Sequence, residues 1–504
     1  MRPFNCVGCN LWWAVGRFHF RRKLEDHMHW RITVEAVDPT GEEYRQEFLF
    51  EKDLDGLTDG RVGCSIEDGK EIMAQIQKAI VQRELDLWVG YRRVCQCCGG
   101  QLPIKDYQKR SILTVFGAVP VKCPRLMICQ NCTPRACFTF SPAADLCPDR
   151  ATPELMELSA KLGAKLPYRE ASDILSTFLP DQISRKFTTL RHRTLSVGKR
   201  IEDAERSRRS REFLVKEDRT QPELQMEGDP AREFVFTIDT AHIPLVKRWG
   251  GRTFEAVVGH CGRGGRGDSS GPLFAFEGTR LAELDATAAL ALMDQGYAGR
   301  GEITVISDGE ECLKRLTGML PQPATHILDW FHISMKLQPL AQMGQPAPQG
   351  LEQFEQDIDR IKWRLWNGQP RRALDLRATV RKALCSETSC SLWARRANKL
   401  LEKLNTYISR NRRSVINYGA RHRAGKRIAT SPAEASVNAL VAKRFVKKQQ
   451  MRWSRTGAHY LLKVRAAMLN GDLSERTQYV PPETDRSPYV ETLLNPTPPL
   501  LKAA

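Results

Sequence analysis

No apolar run in this sequence approaches the roughly 20 residues that a membrane-spanning helix needs, so we expect no membrane partner. Acidic residues are fewer than basic ones: the chain has 59 Asp and Glu and 77 Lys and Arg, which gives a formal net charge of +18. This excess favours a polyanionic partner, and nucleic acid is the first candidate, because Lys and Arg that neutralise phosphates supply most non-specific affinity. A general solubility charge is the alternative, but the charge is unevenly placed along the chain.

The basic residues concentrate in two regions. Residues 183–211 contain ten Lys or Arg and three acids, within a stretch that we expect to form two short helices and a longer basic one. This is the pattern of a helix-turn-helix unit, whose last helix enters the major groove, although a solvated helical face is the alternative. Residues 408–427 hold seven basic residues with Tyr418 and His422 among them, which suits contact with phosphates and exposed bases; a disordered basic loop is the alternative. The candidate DNA contacts are Arg185, Lys186, Arg191, Arg193, Arg412, Arg413, Arg421 and Arg423.

Cysteine is not scarce, and its spacing predicts a metal site. The chain has 15 cysteines, an odd number that suits a reducing cytoplasm better than a disulfide framework. Two Cys-x-x-Cys pairs, Cys95 with Cys98 and Cys129 with Cys132, are joined by strand-patterned sequence, as in a four-thiolate zinc ribbon. We expect a structural Zn²⁺, because four thiolates leave no open position for water. Buried cysteines without a metal are the alternative, and Cys97, Cys123 and Cys137 are nearby competitors.

A chain of 504 residues is too long for one core, so we expect a multidomain α/β protein. The predicted segments, in chain order, are a possible extension (1–28), a small α+β unit (29–92), the zinc ribbon (93–140), the helical DNA-binding region (150–215), the first part of a catalytic core (232–335), an all-helical insertion (336–430), the closing helices of the core (431–475) and a Pro-rich tail (476–504).

Three strand-patterned runs in the predicted core end on aspartates, namely Asp239, Asp308 and Asp329. Strands, a helix and further strands with carboxylates at their ends are typical of an RNase H-like core, in which the first and fourth strands lie side by side. Asp239 and Asp308 would then be neighbours that bind Mg²⁺ or Mn²⁺, because hard cations take oxygen ligands. Two such ions would serve phosphoryl transfer. Taken alone, Asp239 is more simply interpreted as a residue that opens a turn.

The third carboxylate of this site is expected further along the chain. Between Lys403 and Gly471 there are sixteen Lys or Arg and a single acid, Glu434. That carboxylate would bind cations well only with other acids beside it and DNA phosphates over the arginines. The alternative is a capping box that starts at Ser431, with Glu434 at the third helical position. Both roles are compatible, since a cap fixes the helix that carries the ligand.

Five motifs in this order resemble bacterial insertion-sequence transposases, most closely the ISKra-type group: FTIDTAHI, ISDGEECLKRL, HILDWFHISMK, SPAEASVNALVAKRF and QQMRWSRTGAHYLL. The resemblance covers roughly residues 30–475 and implies a DDE nuclease with an RNase H-like core. It implies that Asp239, Asp308 and Glu434 hold the catalytic metals, and Asp329 and His332 are further candidate catalytic residues. It also implies that His332 of the Asp329-Trp-Phe-His motif helps to position DNA near the cut, with Arg452 and Trp453; core packing is the alternative for Trp453.

The implied activity is Mg²⁺-dependent cleavage and strand transfer on the double-stranded DNA of element ends and target. A homodimer or higher oligomer in the bacterial cytoplasm, associated with the nucleoid, is the expected form. Two other functions remain open at this stage. One is a cellular nuclease or junction resolvase with the same core, and the other is a non-catalytic, transposase-derived DNA-binding repressor, against which the three intact acids weigh.

Overall fold

The structure is a computed structural model, and it describes fifteen stretches of the chain: residues 27–38, 41–54, 57, 60–132, 138–180, 186–217, 233–246, 250–263, 271–297, 301–320, 323–343, 353–387, 391–430, 435–446 and 451–477. Most of the predicted extension and most of the Pro-rich tail lie outside these residues, although His27 and Met28 of the extension belong to the first strand. The chain forms two compact units, one of Met1–Leu146 with Phe178–Pro180, the other of Cys147–Thr177 with Asp181–Ala504. None of the described helices is both long and apolar enough to cross a membrane.

The first unit begins with an antiparallel hairpin of β1 (His27–Val37) and β2 (Glu43–Asp53), followed by α1 (Ile66–Arg92). Polar and apolar residues alternate along both strands, as a sheet with one packed face requires. Ser65 starts α1 with a capping box, since its hydroxyl accepts from Asp68 N and the Asp68 carboxylate accepts from Ser65 N. These two strands and the helix agree with the small α+β unit predicted for residues 29–92.

A second hairpin in the first unit is built from β3 (Ile104–Thr114) and β4 (Gly117–Met127), with the short strand β5 (Thr139–Phe140) and helix α2 (Pro142–Leu146) after it. The sheet order is β3-β4-β5. One face of β4 is buried through Val119, Val121 and Cys123, because α1 and α2 pack on this strand. The hairpin lies between the two Cys-x-x-Cys pairs and brings them to the same end of the sheet.

The second unit contains a five-stranded sheet. Its strands are β6 (Phe234–Pro244), β7 (Thr253–Arg263), β8 (Leu273–Glu277), β9 (Ile303–Ser307) and β10 (Ala324–Leu328). The order across the sheet is β10-β9-β6-β7-β8. The strands β6, β9 and β10 are parallel to one another, while β7 is antiparallel to both of its neighbours. The predicted adjacency of the first and fourth strands is therefore confirmed.

Each face of this sheet carries its own hydrophobic core, and β6 contributes to both by alternation. Phe234, Phe236 and Ile238 pack into one core. That core also takes in residues of α6 (Leu281–Asp294) and α7 (Glu311–Met319). Val235 belongs to the other core. A side-chain period of two therefore directs Thr237 and Asp239 to the same face as Val235.

The face that includes Val235 is covered by helices. They are α8 (Trp330–Ala341), α9 (Phe354–Trp366), α10 (Pro370–Glu387), α11 (Leu392–Arg410), a 3-10 turn (Arg412–Ser414) and α12 (Tyr418–Arg423). The described part of the predicted insertion is thus entirely helical. It is tied to the sheet by hydrogen bonds: Tyr418 donates to Leu328 O at 2.7 Å, and His326 bonds Ser307 and Ser414 with its two ring nitrogens.

The remaining helices of the second unit are α3 (Pro153–Lys165), α4 (Tyr168–Phe178), α5 (Phe187–Glu217), a π-helix (Asn438–Val446), α13 (Arg455–Asn470) and α14 (Leu473–Thr477). Helix α5 packs on α3 and α13, and α13 packs on β8. The helices predicted as a DNA-binding region therefore belong to the same compact unit as the sheet. Helix α5 continues to Glu217, just past the end of the helical region predicted at residues 150–215.

Candidate active site and metal centre

Three aspartates lie in one row, just past the points where the parallel pairing of β6, β9 and β10 ends. The last residue pair between β6 and β9 joins Thr237 to Ile306, so Asp239 and Asp308 each follow that pair by two residues. The last pair between β10 and β9 joins Leu328 to Ser307, so Asp329 and Asp308 each follow it by one. The backbone continues this register, since Asp329 N donates to Ser307 O at 2.9 Å.

The expectation that Asp239 ends a strand was wrong. Strand β6 continues to Pro244, because residues beyond Asp239 pair with β7, from Thr240 with Val257 to Pro244 with Thr253. Only the pairing of β6 with β9 ends near Asp239. The amide and carboxylate of Asp239 therefore lie where these two strands diverge. This divergence opens space for a ligand at the end of a parallel pair, which is the usual place for a site in a sheet of this kind.

The carboxyl group of Asp239 has several charged neighbours. Burial raises the pKa of its carboxyl, and the charges of Asp308 and Asp329 raise it further. The Thr240 amide, which donates to Asp239 Oδ1 at 2.8 Å, and the charge of His332 lower that pKa. Several carboxylates thus share one partly buried region, an arrangement that favours either a bound proton or a bound cation.

Asp329 has a structural role that the strand pattern did not reveal. It is fully buried and caps α8, because its Oδ1 accepts from Phe331 N at 2.7 Å and its Oδ2 accepts from the Thr430 hydroxyl. His332 Nε2 lies 3.9 Å from Asp329 Oδ2. Burial raises the pKa of Asp329, and the hydrogen bond from Thr430 opposes that rise. The described contacts of this carboxylate orient the start of α8 and the His332 ring.

Glu310 is a further carboxylate of the site that the sequence reasoning missed. Its Oε2 accepts from the Thr240 hydroxyl at 3.3 Å, and its amide donates to Asp308 Oδ1 at 3.0 Å. Burial raises its pKa, and the charges of Asp308 and Glu255 raise it further. The available signal was the run Asp-Gly-Glu-Glu at 308–311, which is simply interpreted as the acidic first turn of α7.

A groove runs from Asp308 along α11. Tyr407 donates its hydroxyl to Asp308 O at 2.8 Å, and Lys336 Nζ lies 4.4 Å from the centre of the Tyr407 ring. Burial and the charge of Asp308 raise the pKa of Tyr407, so this hydroxyl stays protonated. The groove has a volume of about 1000 Å³. Its basic lining residues are Lys314, Lys336, Lys399, Lys403 and Arg410.

Glu434, the predicted third ligand, lies outside the described residues. The π-helix starts four positions later and buries Leu440, Val441 and Phe445. The broader turn of this helix replaces the expected α-helical geometry. π-helical turns occur frequently at functional sites.

The predicted DNA contacts divide into exposed and buried residues. Those with exposed side chains are Lys186, Arg191, Arg412, Arg413, Arg423 and Arg452, while Arg185 lies outside the described residues. Arg193 is only 5% exposed, and burial lowers its pKa. Helix α5 thus turns Arg193 toward the protein rather than toward solvent, and its contact with DNA stays a prediction.

Two further residues have internal partners. Arg421 forms an ion pair with Glu233 at 2.9 Å, and its Nε donates to Arg427 O at 2.6 Å, so its side chain joins α12 to the start of β6. Trp453 is 5% exposed, and its ring packs 4.8 Å from that of Phe445. The described contacts of Trp453 are those of a core residue, which was the alternative to a DNA contact.

The four predicted zinc ligands of the first unit come together. The sulfur atoms of Cys95, Cys98, Cys129 and Cys132 all lie within 4.8 Å of one another. Cys95 Sγ is 3.8 Å from Cys132 Sγ, and Cys98 Sγ is 3.5 Å from Cys129 Sγ. Tetrahedral zinc with Zn–S bonds of about 2.3 Å would separate its sulfurs by roughly 3.8 Å, so the cluster could bind zinc.

The other cysteines near this cluster are not ligands in the described structure. Cys97 is exposed and does not belong to the group, and Cys123 is buried, where its sulfur accepts from Ala143 N at 3.4 Å. Cys137 lies outside the described residues. Backbone amides of Cys98 and Cys97 lower the pKa of Cys95 to about 6, whereas the neighbouring thiols raise the pKa values of Cys98 and Cys132. Only Cys95 is therefore favoured as the thiolate that metals bind.

Among the described residues, these cysteines form the only group in which three or more potential ligand atoms lie within 4.8 Å of one another. Comparison with known proteins adds no assignment to this geometry. A scan against protein-family models gave no match, and a search of curated proteins gave none. The function must therefore be inferred from the residues themselves.

Proposed function

We propose that this chain is a metal-dependent DNA phosphoryl transferase with an RNase H-like core, and that it acts as a transposase of the DDE type. The order and direction of the strands support the core, since β7 is the antiparallel member and β9 follows a crossover to pair in parallel with β6. The interruption of the unit by helices α9 to α12 is compatible with that core, because they add to one face and leave the pairing intact.

The observation that carries the proposal is the register of Asp239 and Asp308. Each is two residues past the last pair of two adjacent parallel strands, so both carboxylates are delivered to one end of the sheet. Burial and repulsion from the neighbouring acids raise the pKa of Asp239. Repulsion between partly buried carboxylates destabilises the fold, and a bound cation would relieve it.

The donor set fits a hard divalent cation. Asp239 and Asp308 would hold Mg²⁺ or Mn²⁺ through carboxylate oxygens, with Glu434 proposed as the third ligand and Glu310 close to Asp308. When bound, the metal would supply charge stabilisation to a phosphate and an activated water as nucleophile. No protein nucleophile is required, because positioning and charge neutralisation carry phosphoryl transfer.

The chain's own residues would then bind and orient the DNA. The lysines along the groove place positive charge beside Asp308, where a phosphodiester must lie to be cut. Tyr407 fixes the backbone at Asp308 through its hydrogen bond, and Asp329 fixes the first turn of α8, which carries His332. The groove therefore combines a mostly basic wall, which also contains Glu402, with a cluster of acids around Asp308.

The narrower assignment to an ISKra-type transposase rests on the five sequence motifs. With it come the proposed partners, element ends and target DNA bound by a dimer or larger assembly in the cytoplasm. The zinc ribbon fits this assignment as a structural element of the first unit.

Cleavage of DNA by the purified full-length chain tests the proposal. A supercoiled plasmid carrying the DNA that flanks the gene is incubated with Mg²⁺ or Mn²⁺, and nicked and linear products are quantified. We expect metal-dependent cleavage that Asp239→Asn abolishes while Asp359→Asn, a change of an exposed acid on α9, retains it. Cleavage by Asp239→Asn at the wild-type rate would remove Asp239 from the site.

A further inference from the structure

The outer face of the β3–β4 hairpin carries positive charge on a surface that contains an exposed aromatic ring. Residues 104–127 hold five Lys or Arg and one acid, Asp106. Lys109 and Lys122 are both exposed, and they are direct cross-strand partners in the register of the hairpin. Like charges directly opposite each other destabilise a sheet, so folding alone does not account for this pair.

Tyr107 lies on the same face as these lysines, one alternation away from Lys109. It is 55% exposed, and Lys122 Nζ is 4.9 Å from the centre of its ring. The Lys122 ammonium group lies over one face of this ring, so an exposed aromatic surface and a positive charge stand within one side-chain length. That combination matches a nucleobase and its attached phosphate.

The one acid of the hairpin does not neutralise this surface. Asp106 is the cross-strand partner of Arg125, and its carboxylate accepts from Arg125 Nε at 2.6 Å and from Arg125 Nη2. The opposite face of β4 is buried under α1 and α2, so the binding surface is limited to one side of the sheet. Tyr107, Lys109 and Lys122 thus form a basic aromatic surface without a competing carboxylate on the hairpin.

We propose that the surface formed by Tyr107, Lys109 and Lys122 binds a single-stranded segment of nucleic acid. One base stacks on Tyr107, and the adjoining phosphates lie against the two ammonium groups. A single strand fits better than a duplex, because only an unstacked base can offer its face to a ring on a sheet. The inference extends the proposed function by naming a second surface for the same class of partner, but it does not require the proposed reaction.

Fluorescence anisotropy of a labelled single-stranded oligodeoxythymidine tests the proposal on the full-length chain, at several salt concentrations. Tyr107→Ala is expected to weaken binding about fivefold or more, while Tyr107→Phe keeps the ring and retains the wild-type affinity. Each of Lys109→Gln and Lys122→Gln is expected to make the slope of log K against log salt shallower by about 0.7. Lys78→Gln, at an exposed lysine of α1, is the matched control and leaves both quantities unchanged.

Unchanged affinity in Tyr107→Ala, or equal losses in Tyr107→Ala and Tyr107→Phe, would overturn the stacking contact. A loss in Lys78→Gln as large as that in Lys122→Gln would overturn the localised surface, since general positive charge would then account for binding. The proposed nuclease function is tested by a different result. Asp239→Asn is expected to bind the oligonucleotide normally without cutting plasmid DNA, and the Tyr107 variants are expected to retain the metal dependence of cleavage.

Discussion

Asp239 and Asp308 stand at matching positions on adjacent parallel strands, each two residues beyond the last pair that joins β6 to β9. The alternation of side chains along one strand determines which face of the sheet each acid lies on. The register between β6 and β9 is what brings the two acids to the same height along the strands. The charge of Asp308 contributes to the raised pKa of Asp239, as expected for carboxylates that share one region. This relationship supports a cation site better than any single residue does.

Asp239→Asn is expected to stabilise the metal-free protein at neutral pH. Burial raises the pKa of Asp239 in the folded state, so ionisation above that pKa costs free energy of folding that a neutral amide avoids. We expect the melting temperature in EDTA to rise by about 2 °C at pH 7. The gain should shrink as the pH falls through the raised pKa toward the unfolded value of about 3.9, where both states are protonated.

Thermal unfolding in EDTA across pH 4 to 8 measures this effect, with Asp359→Asn as the control at an exposed acid. A lower melting temperature for Asp239→Asn at pH 7 would mean that the carboxylate stabilises the fold. That result would contradict the claim that the buried, ionised carboxylate costs free energy of folding.

Cys98→Ser is expected to remove zinc from the first unit, whereas Cys97→Ser is not. The Cys98 sulfur belongs to the four-cysteine group, and the neighbouring Cys97 is exposed and outside it. Loss of one of four thiolates lowers the affinity for a metal whose binding contributes to folding. Elemental analysis of purified protein should give one zinc per chain for wild type and Cys97→Ser, and well under one for Cys98→Ser. Equal zinc in the two variants would contradict the ligand assignment.

Trp453→Ala is expected to lower the free energy of unfolding by about 3–5 kcal/mol, the usual cost of removing a large buried aromatic side chain. Trp453 packs against Phe445, and the Arg444 guanidinium lies 4.9 Å from the centre of its ring. Trp453→Phe keeps part of this packing and should cost less. Urea denaturation measures both variants. Unchanged stability in Trp453→Ala together with weaker DNA binding would restore the DNA-contact interpretation.

The sequence was sufficient to predict the elements that repeat with a simple period or spacing. Strand-patterned sequence before Asp239 predicted a strand where β6 lies, and the two Cys-x-x-Cys pairs predicted the sulfur cluster that the structure brings together. These features depend on residues close together in the sequence or joined by one hairpin, so local sequence patterns are enough to predict them.

Features that depend on packing between distant segments could not be predicted in the same way. Arg193 carries a charge that suggested solvent, but α3 and α13 pack against its helix and bury it. Tyr407 reaches Asp308 only because the helical insertion folds back over the sheet, across a separation of 99 residues. Glu310 looked like a helix-starting acid, because its bond to Thr240 requires the register of β6 and β9.

The metal preference of an Asp308→Cys variant tests the central claim most directly. A thiolate is a poor ligand for Mg²⁺ and a better one for Mn²⁺, so replacing one oxygen ligand should change which metal supports cleavage. We predict that Asp308→Cys loses Mg²⁺-dependent plasmid cleavage by roughly 100-fold or more and regains a substantial part of it with Mn²⁺. Wild-type cleavage by Asp308→Cys in Mg²⁺, or cleavage that no chelator suppresses, would contradict the assignment of Asp308 as a metal ligand.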